Sequence, residues 1–177
     1  GTQGYQGPTG PKNTGQIFLS SAGGWPQTTS ACGTNTLYEL TTNKVNVYVM
    51  NFADAVNTYA NWDLVMPSDW DAGTITAYPY WTSTAFGVNI GVCWKFGGRS
   101  YANDDALDQA WPYGVSAGMS GGTNNDIYIG SALIAGISGA GTNELSCFQA
   151  GRMGNDTTDT LTASANLLGV RLDYTRT

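Results

Sequence analysis

Short stretches in which apolar and polar side chains alternate, broken by Gly, Asn, Asp or Pro about every 8–14 residues, constrain this chain more than anything else in it. Val45, Val47 and Val49 share one face of the stretch Val45–Phe52, and Val88, Ile90, Val92, Trp94 and Phe96 line one face of another, opposite Asn89, Gly91, Cys93 and Lys95. A period of two marks a strand with one face buried. Further strands are expected at Ile17–Leu19, Leu37–Leu40, Trp62–Met66, Thr74–Thr82, Ile127–Ile137, Glu144–Ala150 and Leu168–Tyr174, with a weaker one at Thr157–Ala163. Pro79 has no N–H for a ladder, which demotes Thr74–Thr82 to an edge or bulged strand. Only Asn103–Ala110 has the pattern of a short helical turn. Eight or nine strands without a long helix predict an all-β fold, an antiparallel β-sandwich or jelly roll, over residues 15–177.

Composition narrows the chemistry. Thr, Asn, Ser and Gly supply 72 of 177 residues, while charged residues are only 11%. Histidine is absent, which removes the commonest general base, the commonest transition-metal ligand and every Ser-His or Cys-His nucleophile pair. The chain reads as non-enzymatic. With 7 Lys and Arg against 13 Asp and Glu, the net charge of −6 argues against nucleic acid, whose phosphates need clustered cations. No stretch approaches the roughly 18 apolar residues of a membrane-spanning helix. Cys32, Cys93 and Cys147 show no metal-ligand spacing; buried free thiols are favoured over one disulfide with a leftover thiol.

Residues 1–14 differ in kind. Gly1, Gly4, Gly7 and Gly10 fall at every third place, and Pro8 and Pro11 follow the last two. Only glycine fits the crowded axis of a collagen triple helix, and proline pre-sets its extended chains. The segment therefore reads as the end of a collagen-like stalk, and hence as part of a homotrimer. A first residue that is Gly rather than Met suggests a piece of a longer chain.

Three groups of residues are candidates for a site. Trp70, Tyr78 and Tyr80, with Tyr59 nearby in type, could form an aromatic platform for sugar rings; the competing reading puts such rings in the core or at a subunit interface. Asp104, Asp105 and Asp108, beside Asn103, form the densest acidic knot and the best candidate for a cation such as Ca²⁺, against a solvated turn. Asp69-x-Asp71-x-Gly73 looks like half a calcium loop, but an Asp-rich turn is the favoured reading. Arg171 projects opposite Leu168, Val170, Leu172 and Tyr174, on the side of Asp173. It pairs with Asp173 only by leaning along the strand, and is a candidate interface residue facing an acid of a neighbouring chain.

The stretch Trp62–Thr82 is similar to a W-x-x-x-M-P-x-D-x-D-x-G-T-I-T-x-x-x-Y-W-T pattern, and Asn103–Ala110 and Thr160–Tyr174 match two later blocks of the same set. These blocks resemble the C-terminal domains of bacteriophage and prophage structural proteins, which often follow collagen-like repeats. The resemblance spans Trp62–Tyr174, and residues 15–60 take no part in it. It implies a trimeric jelly-roll head of a capsid or tail fibre or decoration protein, exposed on the virion among other virion proteins and displayed for adhesion to the host surface. It carries over no catalytic residues. The alternative is a carbohydrate-binding adhesin domain on a bacterial surface.

Overall fold

A computed structural model describes residues 13–85, 90–110, 114 and 116–177. The Gly-x-y triplets lie outside the described residues, as do Val88 and Asn89. Among the described residues there are thirteen strands: β1 (Thr14–Ser20), β2 (Trp25–Pro26), β3 (Thr36–Glu39), β4 (Asn46–Phe52), β5 (Asn57–Val65), β6 (Ile75–Thr82), β7 (Ile90–Tyr101), β8 (Ser116–Gly121), β9 (Tyr128–Ile129), β10 (Leu133–Ala135), β11 (Ile137–Ser138), β12 (Leu145–Met153) and β13 (Ala165–Thr175). They form two sheets, as the alternation predicts. The first runs β10-β6-β13-β4-β3, with β1 beside β13 and β9 beside β6; the second runs β11-β7-β12-β5-β2, with β8 beside β7. Pairing is antiparallel apart from the two-residue β11–β7 ladder and one isolated bridge.

Of the predicted inward face of β7, Val92, Trp94 and Phe96 are buried and Ile90 is partly buried against the core, while Gly91 and Cys93 of the opposite face are buried as well. Trp94 meets Phe52 edge-on at 5.0 Å and Trp81 at 6.3 Å, so one indole of the second sheet is held by two rings of the first. Phe96 stacks on Phe148 of the neighbouring strand at 5.7 Å. Large rings buried between sheets carry most of the apolar area such a sandwich removes from water.

Four expectations need correction. Strand β6 is interior, flanked by β13 on one side and by β9 and β10 on the other. Pro79 is tolerated because it falls in the gap between those two short strands, where its carbonyl still accepts the Gly130 N–H at 2.8 Å. The missing N–H faces the same side, so the reciprocal bond of the Pro79–Gly130 pair is not made and the ladder to β9 ends at Tyr80. The run Ile127–Ile137 is broken into β9, β10 and part of β11. Asn103–Ala110 forms turns without a helix, and the Asp105 carboxylate accepts the Ala102 N–H at 2.9 Å.

Thr157–Ala163 is not a strand. Its backbone instead wraps a buried cation. Arg152, fully buried on β12, spends all five guanidinium N–H groups: two on Asp159 (2.9 and 2.7 Å) and one each on the carbonyls of Phe52 (3.1 Å), Ala163 (2.7 Å) and Leu161 (2.5 Å). Asp159 is equally buried and also accepts the Cys93 N–H at 3.0 Å. A charge removed from water persists only when paired and fully hydrogen-bonded. The Leu161 and Ala163 carbonyls therefore turn inward to the guanidinium instead of joining a strand ladder.

Candidate functional site

The register of the first sheet assembles a surface from residues far apart in sequence. Opposite one another across β1, β13 and β6 stand Phe18, Arg171 and Tyr78; beside them lie Ser20, Gly169 and Tyr80, the last facing Ile129 on β9. Partners in register share a sheet face, and this one points away from the core. Arg171 packs over the Tyr78 ring at 4.2 Å, donates to the Tyr80 hydroxyl at 3.2 Å, and grips both oxygens of Asp173 at 2.9 and 3.2 Å. Phe18 meets Tyr80 edge-on at 5.5 Å and is 51% exposed. Rings and stem are thus held in one orientation by contacts with each other.

A bulge opens this face into a cleft. The β13–β6 register shifts between Leu167 and Gly169, leaving Leu168 as an extra residue. An extra residue leaves the ladder and bends its strand. Leu168, expected on the buried side with Val170, is turned outward for that reason. Strand β4 pairs with β13 only as far as Leu167, so the β3–β4 hairpin stands off and β1 takes over that edge from Gly169 onward. Between them lies a cleft of about 320 Å³, lined by Phe18, Tyr48, Tyr80, Val47, Ile127 and Leu168 together with Ser20. Of the three valines expected on one buried face of Val45–Phe52, only Val49 is buried; Val47 lines this cleft, and Val45 lies outside it, just before β4. Gly169 is required beneath it. A Cβ there would lie 2.5 Å from both the Leu19 carbonyl oxygen and the Phe18 ring.

Of the residues singled out from sequence, the fold brings Tyr78, Tyr80 and Arg171 together. Arg171 pairs with Asp173 of its own chain, leaning along the strand to do so. Trp70 is corrected: at 1% exposed it is a core residue, fixed by a backbone bridge to Arg176, and its ring is not available to a sugar. Tyr59 lies on the other sheet, its ring over Gly151. Asp104, Asp105 and Asp108 are exposed, and among the described residues no three His, Cys, Asp or Glu side chains gather as a metal site needs. Asp71 accepts the Gly73 N–H at 2.9 Å and Asp69 pairs with Arg176 at 3.1 Å, which is the turn reading of that motif. Gly1, Gly4, Gly7 and Gly10 lie outside the described residues. The three cysteines are free thiols. Burial pushes the Cys32 thiol up to about 12; burial, then the Asp63 carboxylate, does the same to Cys147.

Sequence reasoning missed Phe18, Tyr48 and the bulged Leu168, which join this surface only through strand pairing. It also missed an amide row on the second sheet, where the nearly buried Gln149 donates to Gln27 and Asn61, each at 3.0 Å. The chemistry the cleft supports is recognition. The side chains that line it are neutral, and the Asp173 carboxylate on the same sheet face has both oxygens on Arg171.

No family model matches the chain, and no curated protein matches it. Among solved structures, the chain is similar to the CBM22-2 xylan-binding domain from Paenibacillus barcinonensis Xyn10C (11% identity, 91% of this chain and 99% of that one, TM-score 0.49). It is also similar to a family 35 carbohydrate-binding module from Clostridium thermocellum (9% identity, 89% and 97%, TM-score 0.41). A family 11 module from the same organism, in complex with a β-1,3-1,4-mixed-linked tetrasaccharide, gives 9% identity, 89% and 94% coverage and a TM-score of 0.44. At these identities and scores the likeness carries no argument about what this chain binds, which rests on the site itself.

Proposed function

We propose that this chain is a non-catalytic glycan-binding domain whose binding face is the outer surface of the first sheet. The observation that carries the reading is the convergence of Tyr78, Tyr80 and Phe18 around Arg171, beside a preformed cleft of about 320 Å³. A sugar ring offers C–H faces that pack on aromatic rings, and hydroxyls that pair with fixed donors and acceptors. Binding sites of this kind are concave, mostly apolar, and carry a few placed polar groups. Here those groups are the Tyr80 hydroxyl and the edge of the Arg171–Asp173 pair. With Arg171 neutralised in place and the chain at −6, the preferred ligand is a neutral glycan, bound with little salt dependence. Adhesion on a virion fibre, as the sequence resemblance implies, and adhesion from a bacterial surface would use this face in the same way.

A glycan array followed by titration calorimetry tests the reading. Tyr80→Ala should weaken binding to the selected glycan at least about tenfold, a loss of roughly 1.4 kcal/mol, while the circular dichroism spectrum stays unchanged. Raising the salt from 50 to 500 mM should leave the affinity nearly constant. Equal affinity of Tyr80→Ala and wild type, or no glycan bound across a broad array, would refute it.

A further inference from the structure

The cleft does not end at Tyr80. Through Val47, Ile127 and Leu168 it continues into a narrower pocket of about 120 Å³, walled by Leu40, Val45 and Tyr38. The walls are aliphatic and partly in water, Val45 being 49% and Ile127 60% exposed. Asn125 also lines the pocket, but its side-chain oxygen already accepts the Tyr38 hydroxyl at 3.1 Å. Thr82, only 5% exposed, lines it as well, and its buried Oγ1 has no hydrogen-bond partner. A hydroxyl without a partner beside apolar walls is unfavourable, and a ligand that supplies an acceptor there offsets that cost.

The bare rim of a sugar does not suit such a pocket, since its hydroxyls would lose water against Val and Leu side chains. An acetyl-sized acyl group does suit it. The methyl meets the aliphatic walls, and the carbonyl oxygen can accept from the unpaired Thr82 hydroxyl. Size agrees: an apolar cavity of about 150 Å³ holds benzene, so this pocket has room for three or four heavy atoms.

We infer that the pocket receives an acetyl-sized acyl substituent of a glycan whose ring lies in the adjoining cleft. This rests on the glycan-binding reading and sharpens it to acylated glycans. An ester and an acetamide share the methyl and carbonyl that are read here, so two matched pairs of probes separate the sources. One pair is acetylated xylo-oligosaccharides before and after mild alkali, which removes esters; the other is chitin oligosaccharides against cello-oligosaccharides of the same length.

Calorimetry with the full chain should show the acylated member of at least one pair binding about tenfold more tightly or better. Val45→Trp, which fills the pocket mouth at a half-exposed position, should bring that ratio close to one while leaving the affinity for the unacylated member unchanged. Thr82→Val, which keeps the side-chain volume and removes the hydroxyl, should lower the ratio severalfold. Equal affinities within both pairs overturn the inference and leave the glycan-binding reading standing. A preference that survives both substitutions also overturns it, because the acyl group is then read elsewhere. Failure of either pair to bind, along with every glycan on a broad array, overturns both.

Discussion

Replacing Asp159 with alanine removes the counter-charge of a cation that has no access to water. Arg152 would keep its bonds to the Phe52, Leu161 and Ala163 carbonyls, but two of its five N–H groups would lose their acceptor, as would the Cys93 N–H. Breaking a buried pair from one side costs about 3–5 kcal/mol, because the remaining charge is uncompensated. Domains of this size are typically stable by only about 5–15 kcal/mol, so at least about a fifth of the total is at stake. Asp54, whose oxygen lies 3.5 Å from the guanidinium but whose side chain is 39% exposed, compensates little; Asp54→Asn should cost less than about 1 kcal/mol. Many buried pairs can be replaced by apolar residues without loss. This one should differ, because Arg152→Met with Asp159→Leu still leaves three carbonyls and the Cys93 N–H without partners, at about 1–3 kcal/mol for each that water cannot reach. The double variant should therefore remain clearly less stable than wild type. Equilibrium urea unfolding followed by tryptophan fluorescence measures all four proteins, since Trp94 packs edge-on against Phe52, whose carbonyl holds the guanidinium. An Asp159→Ala variant within about 1 kcal/mol of wild type, or a double variant as stable as wild type, would refute the reasoning.

Gly169→Ala should destabilise the chain by about 1–3 kcal/mol, as overpacking does, because the added methyl would lie 2.5 Å from a backbone oxygen that cannot step aside. It should also displace Phe18 and weaken glycan binding; thermal melting within error of wild type would contradict this. The thiols of Cys32 and Cys147 are raised from 9.0 to about 12, so the native state holds protons that the unfolded chain gives up first. Their contribution is complete below pH 9 and disappears as the pH rises from 9 towards 12. Urea midpoints should fall through that window, less so for the Cys32→Ala variant. At pH 8 the native protein should react with a thiol reagent far more slowly than the unfolded chain, and equal rates would count against burial of these thiols.

The sandwich was legible because alternation is a local property. Val92, Trp94 and Phe96 read as one buried face before any partner strand is known, and they are buried together. Tyr78 and Tyr80 read as candidates for a platform by the same rule, two apart on one strand. Trp70 misled because a turn usually faces water; this one folds under, tied by its backbone to Arg176. Pro79 misled because the rule against interior prolines does not foresee a gap between two short neighbouring strands. Thr157–Ala163 misled because its alternation is real but its carbonyls answer to Arg152, more than 5 residues upstream and buried by tertiary packing.

By itself, then, the sequence determined an all-β chain without histidine chemistry, with short strands and with aromatic pairs spaced to share a face. Period and composition act on neighbouring residues, and no partner is needed to express them. Only the tertiary structure decided which aromatics meet. The register of β1, β13 and β6 sets Phe18 opposite Arg171 and Arg171 opposite Tyr78, across some 150 and 90 residues of chain. A one-residue bulge at Leu168 then turns that flat face into a cleft. Strand pairing and the placement of one extra residue depend on contacts distant in sequence, and no local pattern records them.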